Sequence, residues 1–201
     1  MSAEKPEDEK RRRFLVAVTT AVGSIGASFA AVPFTRYLQP SQKAMAEGAP
    51  VKIDISKLEP GQQVSEQWRG QPVIVLRRSP EVLKRLNAPG LVEQLSDPES
   101  DRTTQQPEYA KNLYRSVESE YLVVIGLCTH LGCIPTYRPE VAPDDLGKDW
   151  YGGYYCPCHG SKFDLAGRVF KNVPAPTNLV IPPYRFISKK LVLIGEDTVA
   201  A

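Results

Sequence analysis

Six residues with soft metal-binding side chains are gathered in one short part of this 201-residue chain. The chain has four Cys and two His in total, and all six lie between Cys128 and His159. Thiolates and imidazoles are the ligands that zinc, copper and iron–sulfur centres use in proteins. The clustering therefore predicts a metal centre before any other feature of the chain is considered.

The six residues fall in two loops of related composition. Residues 128–133 read Cys-Thr-His-Leu-Gly-Cys, and residues 156–161 read Cys-Pro-Cys-His-Gly-Ser. Each follows a segment rich in β-branched or aromatic residues, which predicts a strand. Loops at the ends of strands on a rigid scaffold can hold a metal while leaving it accessible.

Spacing alone leaves three divisions of the ligands open. A zinc site with two Cys and two His normally has each Cys pair two to four residues apart, unlike the pattern here. A four-Cys cluster of the ferredoxin type fits the gap from Cys128 to Cys133 but not the next gap. The third division assigns one Cys and one His of each loop to a single centre and leaves two Cys to pair as a disulfide, which suits an exported protein. Its members are Cys128, His130, Cys156 and His159 for the centre, and Cys133 with Cys158 for the disulfide.

An uncharged run follows a basic segment near the amino terminus. Residues 14–34 carry no charge and would reach about 31 Å as a helix, close to the thickness of a bilayer core. They predict a transmembrane helix after a cytoplasmic segment, residues 1–13. Arg11 and Arg12 with the following residues fit a twin-arginine export signal. The alternative, basic residues that obey the positive-inside rule, gives the same orientation.

The fate of this run after export stays open, because Ala44-Met45-Ala46 resembles a small-residue cleavage site. Residues 35–50 are rich in Ser, Gln, Gly and Ala without apolar periodicity, which predicts a flexible linker or hinge. The Ala-rich tract 43–47 has the composition for a helical turn. A single exported domain, residues 51–201, is predicted to follow.

The exported domain is predicted to be mainly β. One short helix is expected after Ser79, which can cap it, with Pro80 in its first turn. The polar stretch 96–108 is predicted to be a solvated surface insertion. Strands are expected at 51–55, 73–76, 121–127, 150–155, 184–187 and 191–194, the last two as a hairpin. The net charge of +2 is too weak a field to indicate nucleic acid as a partner.

The two loops resemble the cluster-binding boxes of Rieske iron–sulfur proteins, and the chain up to Ile194 resembles the Rieske subunits of quinol–cytochrome c reductases. The resemblance implies an antiparallel β-sandwich with a small cluster-binding subdomain, few short helices and one transmembrane helix. It implies one 2Fe-2S cluster with Cys128 and Cys156 on the inner iron and His130 and His159 on the outer one. Cys133 and Cys158 would then join the loops.

The resemblance also implies roles for residues around the cluster. Ser161 matches a serine that bonds a bridging sulfide, and Leu131 matches an exposed docking residue. Phe163 stands where many relatives have a Tyr that bonds the sulfur of Cys128. Residues 173–176 resemble a proline loop that covers the cluster. The full set of expected neighbours is Leu131, Gly132, Gly160, Ser161, Phe163, Pro174 and Pro176.

The function implied by the resemblance is electron transfer in a respiratory cytochrome bc complex. A quinol would contact His159, and also His130, and a c-type cytochrome would receive the electron. Cytochrome b, membrane lipid and a dimeric complex are the expected surroundings, with the domain on the periplasmic side of a bacterial inner membrane. The Rieske subunit of another exported enzyme, such as an arsenite oxidase, and a structural zinc module are the alternatives.

Overall fold

A computed structural model describes residues 6–197. They belong to two compact units, one up to Ala46 and the other from Glu47. The first unit contains helix α1 (Pro6–Tyr37), and a short helix α2 (Gln42–Glu47) follows it. The second helix includes the Ala-rich tract for which a helical turn was considered. Of the predicted cytoplasmic segment, residues 1–5 lie outside the described part.

Helix α1 is the one helix in the described part that is long and apolar enough to cross a membrane, with a mean hydropathy of 1.8 over its apolar window. Three of its hydroxyl groups donate to backbone carbonyls of the same helix. Thr19 Oγ1 donates to the carbonyl of Leu15 at 2.7 Å, and Ser28 Oγ donates to that of Ser24 at 2.8 Å. Such internal bonds make hydroxyls compatible with a lipid surrounding, because lipid offers no alternative partner.

The second unit contains three antiparallel three-stranded sheets. One has the order β1-β9-β8, the second β2-β3-β4 and the third β5-β6-β7. The strands are β1 (Val51–Asp54), β2 (Gln63–Trp68), β3 (Gln71–Arg77), β4 (Tyr121–Ile125), β5 (Thr136–Arg138), β6 (Gly153–Tyr155), β7 (Lys162–Asp164), β8 (Tyr184–Ser188) and β9 (Leu191–Ile194). Two short helices, α3 (Pro80–Arg85) and α4 (Pro89–Val92), lie between β3 and β4.

Two groups of buried side chains form the interior of this unit. The larger group joins the apolar faces of the first two sheets and reaches Phe163 and both buried thiols, Cys128 and Cys156. A smaller group packs Trp150 against Phe170, whose ring centroids lie 5.8 Å apart, together with Leu91 and Leu95. The larger core therefore extends up to the metal-binding loops and gives them a rigid base.

The structure confirms most predicted strands and the β8–β9 hairpin, but several details differ. The strand expected at 150–155 covers only Gly153–Tyr155, because Trp150 is a buried core residue in an irregular segment. Strands β2, β5 and β7 were not predicted from the sequence. The predicted short helix is present, with Ser79 Oγ accepting a hydrogen bond from the N–H of Val82.

The prediction of a solvated insertion at 96–108 is wrong at two positions. Ser100 and Gln106 are buried, and the amide nitrogen of Gln106 donates to the carbonyls of Ser100 and Arg102 at 2.9 and 3.0 Å. Its amide oxygen accepts a bond from Arg115. The exposed remainder of the stretch is thus anchored to the core by its own polar side chains.

Candidate metal centre

The two predicted metal-binding loops lie at the ends of short strands. The first, residues 128–133, lies between β4 and β5, and the second, residues 156–161, directly joins β6 to β7. Because β5, β6 and β7 form one sheet, both loops arise at this small sheet. This arrangement is the cluster-binding subdomain that the sequence analysis expected.

Both loops have the same backbone hydrogen-bond pattern. In the first, the N–H of Cys128 donates to the carbonyl of Cys133 at 2.8 Å, and the N–H of Gly132 donates to the carbonyl of Cys128 at 2.9 Å. The second loop repeats these bonds at 2.8 and 2.9 Å, from Cys156 to Ser161 and from Gly160 to Cys156. The two halves of the site are therefore copies of one loop conformation.

The glycine in each loop allows that conformation. Gly132 has a φ of 79° and Gly160 a φ of 76°, values that L side chains rarely adopt. A Cβ on Gly132 would meet nothing within 4 Å, and one on Gly160 would come no nearer than 3.8 Å to the Tyr155 hydroxyl. Backbone conformation, rather than lack of space, is thus what requires glycine here.

Two free thiols lie at the base of the loops. Cys128 and Cys156 are 3% and 2% exposed and take part in no disulfide. The Cys156 thiol lies beside that of Cys128, and the backbone N–H groups of Cys158 and His159 favour its charged form. Burial raises the pKa of Cys156, so binding a metal there displaces a proton. Backbone donors of this kind stabilise sulfur that carries negative charge.

The two imidazoles lie side by side at the outer end of the site. The ring centroids of His130 and His159 are 4.8 Å apart, and the rings are nearly perpendicular. His159 is exposed and His130 is partly exposed, in contrast to the buried thiols. A centre held by all four side chains would therefore have a protein-enclosed sulfur side and an accessible imidazole side.

Cys133 and Cys158 form the disulfide that the resemblance implied. Their sulfur atoms and that of Cys156 all lie within 4.8 Å of one another. A sulfur in a disulfide has no thiolate charge to offer a metal, so this group of three is not a ligand set. The bond also leaves too few thiols for a four-Cys cluster. Two thiols and two imidazoles remain, the donor set of a Rieske cluster.

Residues 173–177, which include the predicted proline loop at 173–176, are attached to both loops. The N–H of Ala175 donates to Ser161 Oγ at 3.1 Å, and Thr129 Oγ1 donates to the carbonyl of Thr177 at 2.7 Å. Because the buried Ser161 hydroxyl accepts here, its own proton is available to another acceptor, as the expected bond to a sulfide requires. The role of Thr129 was missed, although it lies within the first loop.

The remaining predicted neighbours differ in exposure. Leu131 is 71% exposed, a large value for an apolar side chain. Pro174 and Pro176 are exposed on either side of the buried Ala175. Phe163 is fully buried in β7, where its backbone pairs with Tyr154 of β6. The first loop and the segment attached to both loops thus present exposed apolar side chains.

Buried arginines hold the turn that follows the second loop. Asp164 and Arg168 form a fully buried ion pair at 2.7 Å. Arg115 donates to the carbonyls of Ala166 and Gly167, each at 3.2 Å, and to that of Leu179 at 2.8 Å. Burial lowers the pKa of Arg115 to about 10, which still leaves it charged at neutral pH. These residues were not predicted from the sequence, because a buried arginine cannot be distinguished from an exposed one by its residue type.

Two stretches of the chain match known protein families. Residues 90–185 match the family described as "Rieske [2Fe-2S] domain". Residues 1–41 match the family described as "Ubiquitinol-cytochrome C reductase Fe-S subunit TAT signal". Antiparallel sheets that carry paired thiols and imidazoles therefore define a Rieske iron–sulfur protein, and its cofactor is a 2Fe-2S cluster.

Curated relatives extend the similarity to nearly the whole chain. The ubiquinol-cytochrome c reductase iron-sulfur subunit of Allochromatium vinosum is 60% identical over 192 residues, which cover 94% of this chain and 90% of the relative. That of Blastochloris viridis is 40% identical over 197 residues, covering 97% and 98%. The chain belongs to the family of ubiquinol–cytochrome c reductase iron–sulfur subunits. It is therefore a subunit of an oxidoreductase, and the zinc-module alternative is wrong.

The solved structures that match include a chain of "Hyperthermophilic respiratory Complex III". It is 27% identical, and the match covers 89% of this chain and 98% of that one, with a TM-score of 0.46. The curated relatives confirm the family assignment, and the described residues themselves have the expected antiparallel sheets and one long apolar helix. The relatives reported above are named as ubiquinol-cytochrome c reductase subunits, which does not favour the arsenite-oxidase alternative.

Proposed function

We propose that this chain transfers electrons from a quinol to a c-type cytochrome, with its 2Fe-2S cluster held by Cys128, Cys156, His130 and His159. The observation that carries the proposal is the pairing of two buried free thiols with two adjacent imidazoles at the surface. When bound, the cluster supplies a one-electron acceptor, and two His ligands give Rieske centres a raised potential as a class.

The exposed imidazole of His159 provides the contact with the quinol. A His that binds a metal through one ring nitrogen retains a second nitrogen, which in its deprotonated form can accept a hydrogen bond and then a proton. His159 is exposed, so a quinol hydroxyl can reach that nitrogen directly. His130, which is partly exposed at a centroid distance of 4.8 Å, lines the same contact.

The surface around the imidazoles excludes water when a partner docks. Leu131 is 71% exposed next to His130 and offers an apolar contact to a cytochrome b subunit. Pro174 and Pro176 are exposed as well, and their segment is fixed to the loops through Ser161 and Thr129. A dry contact strengthens the hydrogen bond between the quinol hydroxyl and the imidazole.

The amino-terminal helix attaches the domain to the membrane. Helix α1 has the length and hydropathy of a membrane span, and residues 1–41 match the export-signal family. Arg11 and Arg12 would direct the folded chain across a bacterial inner membrane, with residues 51–201 on the periplasmic side. In a dimeric complex surrounded by lipid, residues 35–50 would let the domain move between cytochrome b and the c-type cytochrome.

Low-temperature EPR of membranes that contain this chain tests the proposal. After reduction with ascorbate, we expect a rhombic signal with an average g value below that of the free electron, shifted by an inhibitor of quinol oxidation. A signal that does not respond to the inhibitor would contradict the quinol site and favour another complex. A protein that gives no EPR signal after reduction and contains zinc would contradict the cluster as well.

Substitution of the ligands tests the assignment residue by residue. Cys128→Ser and His159→Ala should each abolish the rhombic signal, since each removes one ligand from the set. Lys190→Ala, in the exposed turn between β8 and β9, is the control and should leave the signal unchanged. Retention of the signal in Cys128→Ser would contradict the ligand set.

A further inference from the structure

Three sulfur atoms of the two loops lie close to one another. Those of Cys133, Cys156 and Cys158 all lie within 4.8 Å of one another. Cys133 and Cys158 are bonded to each other, whereas Cys156 is a free thiol. A disulfide rearranges when a thiolate attacks one of its sulfur atoms, which requires the third sulfur to lie within reach of the bond. The free thiol is thus positioned as the attacking group.

We propose that Cys156, whenever it is not bound to iron, attacks the disulfide and converts Cys133–Cys158 into Cys133–Cys156. The inference rests on the proposed function to the extent that Cys156 is taken as a cluster ligand. Iron bound to Cys156 occupies its thiolate and prevents the attack. The cluster therefore preserves the disulfide pairing on which its own loops depend.

The exchange needs no external oxidant or reductant. Cys156 loses its proton to solvent, and its sulfur forms a bond to the sulfur of Cys133 as the Cys133–Cys158 bond breaks. Cys158 leaves as a thiolate and takes up a proton from solvent. The three sulfur atoms form one disulfide and one thiol before and after the step, so atoms and electrons balance.

Two features of the loops favour Cys133 as the sulfur attacked. Attack on Cys158 would join residues separated only by Pro157, which closes a very small ring that disulfide geometry disfavours. Attack on Cys133 joins the two loops again, as the original disulfide does. The leaving residue Cys158 is exposed, so water can solvate its thiolate.

The exchange removes one ligand from the centre. A protein with the Cys133–Cys156 bond retains only Cys128 of the two ligand thiols that the cluster needs, because the thiol released is that of Cys158. It would not accept a new cluster until a thiol reductant reversed the exchange. Cluster insertion must therefore precede exposure to an oxidising compartment, an order that export of the folded protein provides.

Mapping of the thiols in the cluster-free protein tests the proposal. The full chain is purified with its cluster in detergent, the iron is removed with acid and chelator without reductant, and free thiols are alkylated after increasing times at neutral pH. Peptide fragmentation then locates each alkylated Cys. Cys128→Ser and Cys156→Ser form a matched pair, because each lacks one proposed ligand but only the first retains the attacking thiol.

We expect alkylation of Cys158 to grow with time in the extracted wild type and to be high from the start in Cys128→Ser, which lacks the cluster as purified. Both levels should be several-fold above that in Cys156→Ser. Dithiothreitol added before iron and sulfide should restore cluster uptake by the aged wild-type protein. Continued alkylation of Cys156 with none of Cys158 would overturn the proposal. Equal alkylation of Cys158 in both variants would overturn Cys156 as the attacking group.

The ligand assignment is tested separately by the visible absorption and iron content of the two variants as purified. A variant that retains its cluster contradicts the proposed function, whereas the thiol map of the extracted wild type bears on the exchange alone. The two ideas therefore fail through different measurements.

Discussion

Phe163 is expected to lower the reduction potential of this protein relative to its tyrosine-bearing relatives. It is fully buried in β7, and its ring has no hydroxyl to donate to the sulfur of Cys128. Such a donor stabilises the more negative, reduced state. A bond worth about 1.5 kcal/mol more in that state raises a one-electron potential by about 60 mV. Phe163→Tyr should therefore raise the midpoint potential measured by voltammetry.

The control for this substitution changes the ring without adding a donor. Phe163→Met should not raise the midpoint, since methionine supplies no hydrogen-bond donor in this position. An unchanged or lower midpoint in Phe163→Tyr would show that the new hydroxyl does not reach the sulfur.

Ser161→Ala should affect both the stability of the site and its potential. The substitution leaves the N–H of Ala175 without the acceptor at 3.1 Å, and an unsatisfied buried donor costs about 1–3 kcal/mol. It also removes the proton that the hydroxyl can donate towards the cluster. We expect a lower midpoint potential together with faster amide exchange at Ala175, measured by voltammetry and hydrogen-exchange mass spectrometry.

Thr129→Val separates these two effects. Its hydroxyl proton is already given to the carbonyl of Thr177 at 2.7 Å, so the substitution removes an attachment of the proline segment without removing a donor to the cluster. Exchange should rise near Thr177 while the midpoint stays close to that of the wild type. If the midpoint potential of Thr129→Val fell as far as that of Ser161→Ala, the shift would instead be caused by loop mobility.

The metal ligands could be predicted from residue types, but their supporting contacts could not. Two Cys-containing loops with one His each are rare enough to indicate a centre. Thr129 and Ser161 are common loop residues, and their bonds to Thr177 and Ala175 depend on how a distant segment folds back. Contacts between residues far apart in the chain have no local sequence signal.

At the level of elements, the loop between β5 and β6 is held by charge. Arg138 donates to both carboxylate oxygens of Asp145 at 2.8 Å and also contacts Glu140. These bonds lower the pKa of both carboxyl groups. The ordinary pKa values are 3.8 for Asp145 and 4.5 for Glu140. Above these values the stabilising contact is fully present. It is lost as the pH falls through the lowered pKa values of the folded protein.

We therefore expect the amides of residues 139–149 to lose protection below about pH 4. Hydrogen exchange, corrected for the intrinsic rate at each pH, measures this directly. Arg138→Gln should show the same low protection at neutral pH. A loop whose corrected exchange is constant down to pH 2 would show that the charges do not hold it.

The small sheet itself depends on Gly153. A Cβ at this position would lie 2.0 Å from the carbonyl oxygen of Phe163 on the paired strand β7. Since neither backbone can move without breaking the ladder, Gly153→Ala should prevent cluster incorporation altogether. Gly132→Ala meets no atom within 4 Å and carries only the strain of its positive φ, about 1–2 kcal/mol. It should retain the cluster with a lower thermal midpoint, as followed by visible absorption.

The elements missed by sequence reasoning share a physical cause. Strand β2 is mostly polar and exposed, so it lacks the apolar alternation that indicates a strand. Strands β5 and β7 have three residues each, too few for any periodicity to develop. They form because Gly153–Tyr155 pairs with both of them. Pairing between distant segments, rather than local preference, determines this sheet.

On the scale of the whole domain, Arg115 connects segments that are distant in the sequence. It is fully buried and bonds the insertion at Gln106, the turn at Gly167 and the segment at Leu179. Arg115→Met would leave several buried acceptors unpaired, each at about 1–3 kcal/mol. We expect the free energy of unfolding by urea to fall by at least about 3 kcal/mol. Arg77→Met, which removes a partly exposed ion pair with Glu120, should cost far less.

An equal loss in the two arginine variants would contradict this difference. The insertion at 96–108 was predicted to be solvated from its polar composition, because the sequence does not show that Arg115 is buried and bonds Gln106. The hydrophobic pattern does predict a mainly β domain after one apolar helix, because burial of apolar surface decides those features.

The attachments around the site also determine how the two loops and the proline segment open under mechanical or thermal stress. The disulfide joins the two loops, and the bonds from Thr129 and Ser161 join each loop to the proline segment. A fluctuation that releases one part must strain the other two, so all three should open as a single cooperative unit with one opening free energy. Loss of iron would then be an all-or-none event, without a population of half-open molecules that expose the cluster to oxidants.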